Sequence, residues 1–157
     1  MQEITGQELI SEITLSDIEA SVGSDITFCA CVHKLRKMSG FTFVILRTGR
    51  YIFQSVYSPD TCESNIDDLT VGTYVKITGS IKEEKRAVYG YEITLKSLDI
   101  LSSPAAEYPL KVSDRELGCS LETNLKYRSV ALRHPHVRAV FKVSEGVVSG
   151  FREFMLS

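Results

Sequence analysis

One stretch of the sequence, residues 32–60, interleaves cationic and aromatic side chains. Lysine and arginine neutralise phosphates, and an aromatic face stacks an unpaired base for about 1–3 kcal/mol. This combination suits a single-stranded nucleic acid, although buried strand aromatics beside solvated charges would give the same pattern, and composition alone favours that explanation. In chain order, the side chains concerned are Lys34, Arg36, Lys37, Phe41, Phe43, Arg47 and Arg50.

Two further polar residues, Gln54 and Glu92, lie in runs that read as strands. The alternation in 41–48 and 51–58 leaves both faces of each run largely apolar, so it does not say which face is buried. Glu92 shares a face with Thr94, and alternation alone indicates a solvated charge on a sheet surface.

The residue spacing predicts no catalytic or metal-binding constellation. The chain has no G-x-S-x-G, no G-x-x-x-x-G-K-[ST] and no H-E-x-x-H motif, and its Ser, His and Asp residues show no spacing that favours a triad. No Cys pair has zinc-ligand spacing, so the cysteines read as reduced thiols. His134 and His136 flank Pro135, which favours a helix boundary over a metal site.

Composition limits the protein to a globular class. The chain has 157 residues, is 43% hydrophobic and carries a formal net charge of −2. We expect one domain, or one domain with an appendage, and no membrane span, because no apolar run approaches the ~18 residues that a bilayer crossing needs. The polar start, residues 1–12, argues against a secretory signal and for a cytoplasmic protein. With this charge, nucleic-acid binding requires a local basic patch.

The elements that must position these residues are five predicted strands. Short Gly-containing connections separate the first three, a polar insertion with room for a short helix follows, and two more strands flank a charged hairpin loop. This pattern predicts an all-β, five-stranded OB-fold Greek-key barrel, with an SH3-like barrel as the competitor. A helical turn at 15–22, with Ser16 as its N-cap, precedes the runs, which are 26–35, 41–48, 51–58, 73–81 and 91–101.

Beyond residue 102 the sequence pattern becomes typical of helices. A Pro- and Ser-containing linker leads into helical stretches at 121–133 and 136–156. The second stretch has internal glycines and β-branched residues, so it needs tertiary packing. We therefore divide the chain into a barrel domain at 1–103, a hinge at 104–120 and a helical segment at 121–157.

Three segments of the chain read VHKLRKMSGFTFVILR, IFQSVYSPD and GYEITLKSLDILS. Together they resemble the N-terminal anticodon-binding domain of aspartyl-tRNA synthetases. The tail is similar to the hinge and first helices of the class II catalytic domain in the archaeal and eukaryotic aspartyl/asparaginyl group. It reads YPLKVS and LETNLKYRSVALRHPHVRAVFKVSEGVVSGFREFM.

This resemblance implies roles for individual residues. In the family a strand-two Phe stacks on the central uridine of the anticodon, which points to Phe43. A strand-three Gln hydrogen-bonds that base, which points to Gln54, and a strand-five Glu takes part, which points to Glu92. Arg36 would contact the backbone or a base. Lys34 and Lys37 are weaker candidates, and the cationic pattern itself makes Lys34, Lys37 and Arg47 candidate phosphate contacts.

The resemblance also implies partners and limits. The partner would be aspartate tRNA, possibly also asparagine tRNA, and the longer enzyme would be a homodimer that uses ATP and Mg²⁺. The likeness stops inside the first class II motif, so we expect no catalytic residues and no cofactor in this chain. It would then be a piece of a longer synthetase or a natural truncation. Ala30-Cys31 stands where the family usually has Gly-Trp.

Two other readings stay open beside the aspartyl one. The first is the same domain of an asparaginyl-tRNA synthetase, which shares the barrel motifs. The second is a free-standing OB-fold that binds single-stranded nucleic acid or a protein. The class II hinge and helix argue against the second reading, because a free-standing module has no need of them.

Overall fold

A computed structural model describes residues 13–156 as five strands and four helices. The residues that bear on a secretory signal, 1–12, lie outside the described part. The chain divides into two compact units, the first ending at Glu107 and the second beginning at Tyr108. In chain order the elements are α1 (Leu15–Ala20), β1 (Asp25–Lys37), β2 (Thr42–Thr48), β3 (Tyr51–Tyr57), β4 (Tyr74–Glu83), β5 (Tyr91–Ser102), α2 (Leu121–Lys126), α3 (Arg128–Ala131) and α4 (Pro135–Leu156).

The first unit is a closed barrel with the strand order β1-β2-β3-β5-β4. β4 returns to pair with β1, which closes the sheet, and the β3–β5 pair is parallel while the other pairs are antiparallel. The strand count and the insertion between β3 and β4 confirm the predicted OB-fold. Gly40 and Gly49, with φ of +89° and +52°, form the two tight connections between the first three strands.

Barrel closure decides which face of each strand is buried. In β2 the side chains of Val44 and Leu46 are fully buried while Phe43 is half-buried. In β3 Phe53 points into the core and Gln54 lies on the outer side. The half-exposed outer face of β2 and β3 is therefore the face that a ligand can reach.

The β4–β5 loop, residues 84–90, is anchored to the barrel by aromatic packing. The ring of Tyr89 lies 5.7 Å from that of Phe53 and 6.0 Å from that of Tyr51, both in T-shaped arrangements. Within the loop, Ala87 is buried. Because aromatic pairs of this kind add to burial, the contacts of Tyr89 hold the loop against the core-facing side chains of β3.

One local prediction from the first unit is wrong. The N-cap of α1 is Thr14, not Ser16: Thr14 is extended and forms a capping box with Asp17, so Ser16 falls inside the first turn. The polar insertion, residues 59–70, had room for a short helix but forms turns, one of them closed by the Asn65 side chain accepting from the Asp67 N–H.

The second unit has a small core of its own, formed by Leu110, Val112 and Ala131. The predicted helical stretch at 121–133 is two helices, because Tyr127 (φ −108°, ψ +38°) leaves the helical region and interrupts the hydrogen-bond ladder. The predicted boundary at Pro135 is confirmed, since α4 begins there.

Helix α4 carries an apolar stripe but has no buried residue. Its glycines lie inside the helix, as the sequence predicts, and its propensity is correspondingly poor. The exposed apolar side chains of this stripe are Val140, Phe141, Val143, Val147, Val148, Phe151, Phe154 and Met155.

Candidate nucleic-acid interface

The outer face of the barrel presents a row of three side chains across β1, β2 and β3. Arg36 lies opposite Phe43, and Phe43 lies opposite Val56. The guanidinium carbon of Arg36 is 5.9 Å from the centroid of the Phe43 ring, within cation–π range. Phe41 meets the same ring edge-on, with centroids 5.1 Å apart and planes at 88°. Phe43 is thus a supported, partly exposed aromatic platform.

A second row of side chains crosses β4, β5 and β3. Lys82 lies opposite Glu92, and Glu92 lies opposite Gln54. Lys82 Nζ is 2.7 Å from Glu92 Oε1, and Gln54 Nε2 donates to Glu92 Oε2 at 2.6 Å. The Glu92 side chain is 7% exposed and that of Lys82 is 55% exposed. Each carboxylate oxygen of Glu92 therefore has a partner within the protein.

The two rows meet on β3 and line an open cavity of about 440 Å³. Three cationic and two acidic side chains line it, so its lining is net positive in a chain of formal charge −2. An open, partly apolar cavity with a few convergent polar groups is typical of a binding site. The lining residues are Arg36, Phe41, Phe43, Gln54, Val56, Lys82, Glu84, Arg86 and Glu92.

The structure brings four of the residues predicted from sequence together in this cavity: Arg36, Phe43, Gln54 and Glu92. Glu92 is not the solvated charge that alternation indicates, because Lys82 and Gln54 flank it and it is 5% exposed.

The three predicted phosphate contacts lie outside the cavity lining. Lys34 is half-buried and Lys37 is exposed near the end of β1, whereas Arg47 lies further along β2, between Cys31 and Ile52 of the neighbouring strands. These positions flank the aromatic platform along the barrel, and their contact with phosphate stays a prediction.

Sequence reasoning missed the contribution of the β4–β5 hairpin, which supplies Lys82, Glu84 and Arg86 to the cavity. The hairpin read only as a charged loop. A usable signal was present, because antiparallel pairing centred on Ala87 places Lys82 opposite Glu92. The Arg86 N–H donates to Glu84 Oε1 at 3.1 Å, so the loop's own backbone engages that carboxylate.

Other site types find no support in the described residues. Residues 13–156 hold no cluster of three or more His, Cys, Asp or Glu side chains that could ligate a metal ion. The four cysteines are free thiols. No helix in this part of the chain has the length and apolar content that a bilayer crossing needs.

Comparison with known proteins gives one family match. Residues 26–101 match the model of the tRNA anti-codon family, described as an OB-fold nucleic acid binding domain. Over 139 residues the chain is 30% identical to an aspartate–tRNA(Asp/Asn) ligase of Haloferax volcanii, which covers 86% of this chain. The chain spans about a third of the length of the curated relatives it matches.

Solved structures share the fold at lower identity. The asparaginyl-tRNA synthetase of Pyrococcus horikoshii, complexed with asparaginyl-adenylate, matches with a TM-score of 0.77 and 21% identity, covering 94% of this chain and 35% of its own. An aspartyl-tRNA synthetase from Entamoeba histolytica has the same TM-score at 18% identity, covering 100% of this chain and 40% of its own.

Proposed function

Since residues 26–101 belong to the OB-fold nucleic acid binding domains of the tRNA anti-codon family, we propose that the barrel cavity binds the anticodon loop of a tRNA. The observation that carries this proposal is the placement of Phe43, Arg36, Gln54 and Glu92 around one cavity. An aromatic platform, a cation and hydrogen-bonding groups on one rigid face are what an unstacked base requires.

Each side chain suits a distinct part of a nucleotide. The Phe43 face stacks on a base whatever its identity, whereas the Gln54 amide carries both a donor and an acceptor for a base edge. Arg36, beside the ring, and Arg86, from the β4–β5 loop, supply positive charge for phosphate. Stacking thus provides affinity and the amide provides sequence preference, with the central uridine of the anticodon as the proposed base.

For the longer protein, we propose an aspartate–tRNA ligase. The names of the curated relatives, aspartate–tRNA(Asp/Asn) ligases, support aspartate tRNA as a partner and asparagine tRNA as a second one. Such an enzyme would use ATP and Mg²⁺ through residues of the catalytic domain, and it would form a homodimer. The described residues contribute the anticodon reader, the hinge and the first helices.

The alternative within the same class is the anticodon domain of an asparaginyl-tRNA synthetase. The barrel motifs are common to both groups, so the distinction rests on which amino acid the full-length protein attaches. Aminoacylation of purified aspartate and asparagine tRNAs by the full-length protein, with each amino acid in turn, separates the two.

The proposal is tested by fluorescence anisotropy at low salt, with the whole chain and two anticodon stem-loops. One carries the aspartate anticodon, and the other differs only at the central uridine. We expect tighter binding to the uridine-containing loop. Equal, weak binding to both loops would contradict anticodon recognition and favour a free-standing module with another ligand.

A further inference from the structure

We propose that Lys82 is a positioning residue that, through Glu92, fixes the amide orientation of Gln54 and thereby selects uridine over cytidine. This inference rests on the proposed function and extends it to a residue that the sequence motifs do not assign. It also changes the role expected of Glu92, which acts on Gln54 rather than on the base.

The first step is the identity of the Gln54 atom that faces Glu92. A carboxylate accepts hydrogen bonds and donates none, so the atom 2.6 Å from Glu92 Oε2 must be the amide nitrogen. The reverse orientation would place the amide oxygen against a carboxylate oxygen, which is repulsive. Glu92 therefore sets the orientation of the Gln54 amide chemically.

The second step is what this orientation leaves for a ligand. With one N–H engaged by Glu92, Gln54 retains a carbonyl oxygen and a second N–H, and the side chain lines the cavity. The oxygen accepts from the N3–H of uracil, while the N–H donates to a uracil carbonyl. Cytosine presents an acceptor at N3 and a donor at N4. A cytosine that occupies the same position on the Phe43 ring therefore pairs with the amide only when the amide is turned over.

The third step explains why Lys82 is needed. Glu92 is 7% exposed in its side chain, and Lys82 Nζ, at 2.7 Å from Oε1, engages the oxygen that Gln54 does not. The two oxygens of a carboxylate are equivalent acceptors, so this contact fixes the plane of the group: with one oxygen held by Lys82, the other stays directed at the Gln54 amide. Glu84, the other carboxylate of the cavity, accepts from the Arg86 backbone instead. Lys82 is thus the cation placed to orient Glu92.

Lys82 is also a tractable residue to change. Its side chain is 55% exposed, so Met can replace it without opening a cavity in the barrel. Because the Glu92 side chain is 7% exposed and loses its cationic partner in this variant, urea unfolding of Lys82→Met checks that the barrel remains folded. The matched control is Lys76, which lies on the same strand, is exposed and is absent from the cavity lining. Both substitutions remove one positive charge.

The experiment measures affinities of the whole chain for three stem-loops with uridine, cytidine or 3-methyluridine at the centre. The methyl group removes the N3–H donor. We expect the unsubstituted protein to prefer uridine over both others. Because one bidentate base contact is worth about 1–3 kcal/mol, Lys82→Met should reduce the uridine-to-cytidine ratio by about fivefold or more. Lys82→Arg should keep the uridine-to-cytidine ratio of the unsubstituted protein. Lys76→Met should weaken binding to all three loops equally.

A second variant keeps the test decisive. Glu92→Gln preserves volume and removes the ion pair, so it should lower the uridine-to-cytidine ratio as Lys82→Met does. The variant with both substitutions should have a ratio no lower than that of either single variant. A Lys82→Met protein that weakens all three loops in parallel, with its ratio unchanged, would overturn the positioning role while leaving anticodon binding intact. An unsubstituted protein without uridine preference would overturn the proposed function as well.

Discussion

Glu92 and Phe43 show how single residues acquire a function from their neighbours. Glu92 follows a strand alternation that indicates solvent exposure, yet it is 5% exposed and each of its oxygens has a partner. Phe43 follows an alternation in which a buried position is equally plausible, yet its ring lies half-exposed between Arg36 and Phe41. In both residues a neighbour across the sheet, Lys82 and Gln54 for Glu92 and Arg36 for Phe43, takes part in setting the environment.

The role of Phe43 gives a prediction for a single side chain. Phe43→Ala should weaken binding of the anticodon stem-loop by about 1–3 kcal/mol, because one base–aromatic stack is lost. Phe43→Tyr should retain most of the affinity, since the ring face remains. Anisotropy titration measures both, and circular dichroism checks that the barrel is intact. Unchanged affinity in a folded Phe43→Ala protein would remove Phe43 from the site.

Among the elements, the β4–β5 hairpin contributes most to the cavity beyond what the motifs indicate. Its pairing shifts by a bulge between Thr78 and Gly79, and beyond the bulge it places Lys82 opposite Glu92. A Cβ atom on Gly79 would lie 2.5 Å from the carbonyl oxygen of Thr94 and 2.8 Å from Cγ2 of Ile93. The close approach of the two strands here therefore requires glycine.

We predict that Gly79→Ala destabilises the barrel by about 1–3 kcal/mol, because relieving a contact with a backbone oxygen requires β5 to shift. The same shift should disturb the Lys82–Glu92 pairing and weaken loop binding. Urea unfolding followed by tyrosine fluorescence measures the free energy of unfolding, and anisotropy measures the affinity.

The control for the Gly79→Ala substitution is Gly146→Ala in α4. A Cβ atom at Gly146 meets nothing within 4 Å, so alanine should raise helix stability by up to about 1 kcal/mol. Far-ultraviolet circular dichroism should show equal or greater helicity. If Gly79→Ala were as well tolerated as Gly146→Ala, the close approach of β4 and β5 would not be needed.

For the whole molecule, the net charge of the chain and the net charge of the cavity lining differ in sign. The chain is net negative, so it has no bulk attraction to RNA, while the cavity lining is net positive. Binding must therefore depend on a local patch and on a small number of phosphate contacts.

We predict that affinity for the stem-loop falls linearly with salt on a double-logarithmic plot, because bound phosphates release counterions. Replacing Lys34, Lys37 or Arg47 with Ala should each reduce the slope by about 0.7 if that residue contacts a phosphate of the single-stranded loop. Titrations at several salt concentrations measure the slopes. A salt-independent affinity would argue against RNA as the ligand.

The apolar stripe of α4 gives a second prediction at this scale. Its exposed Val and Phe side chains form an apolar surface. Covering this surface with a second copy of the chain would remove apolar area from water, so we expect weak, concentration-dependent self-association. Sedimentation velocity over a range of concentrations measures it. Phe151→Lys should reduce the association, whereas Val88→Lys, a substitution at an exposed position of the β4–β5 loop, should not. A strict monomer at high concentration would contradict this prediction.

Much of the fold could be predicted because its signals are local. The five strands follow from β-branched and aromatic runs, and the connections at Gly40 and Gly49 follow from turn chemistry. The resemblance to aspartyl-tRNA synthetases, based on ordered motifs, is confirmed by the curated relatives. The helical break at Tyr127 was not predictable, because no Gly or Pro marks it.

The sequence by itself determined the strands, their order along the chain and the residue types available for binding a base. Only the tertiary structure decided which strand faces are buried and which side chains meet, because an alternation with a period of two reads alike from either face. Gln54 and Lys82 are far apart in sequence, and the parallel β3–β5 pair together with the β4–β5 hairpin brings both to Glu92. Closure of the barrel, a non-local event, thus turns separate polar residues into one site.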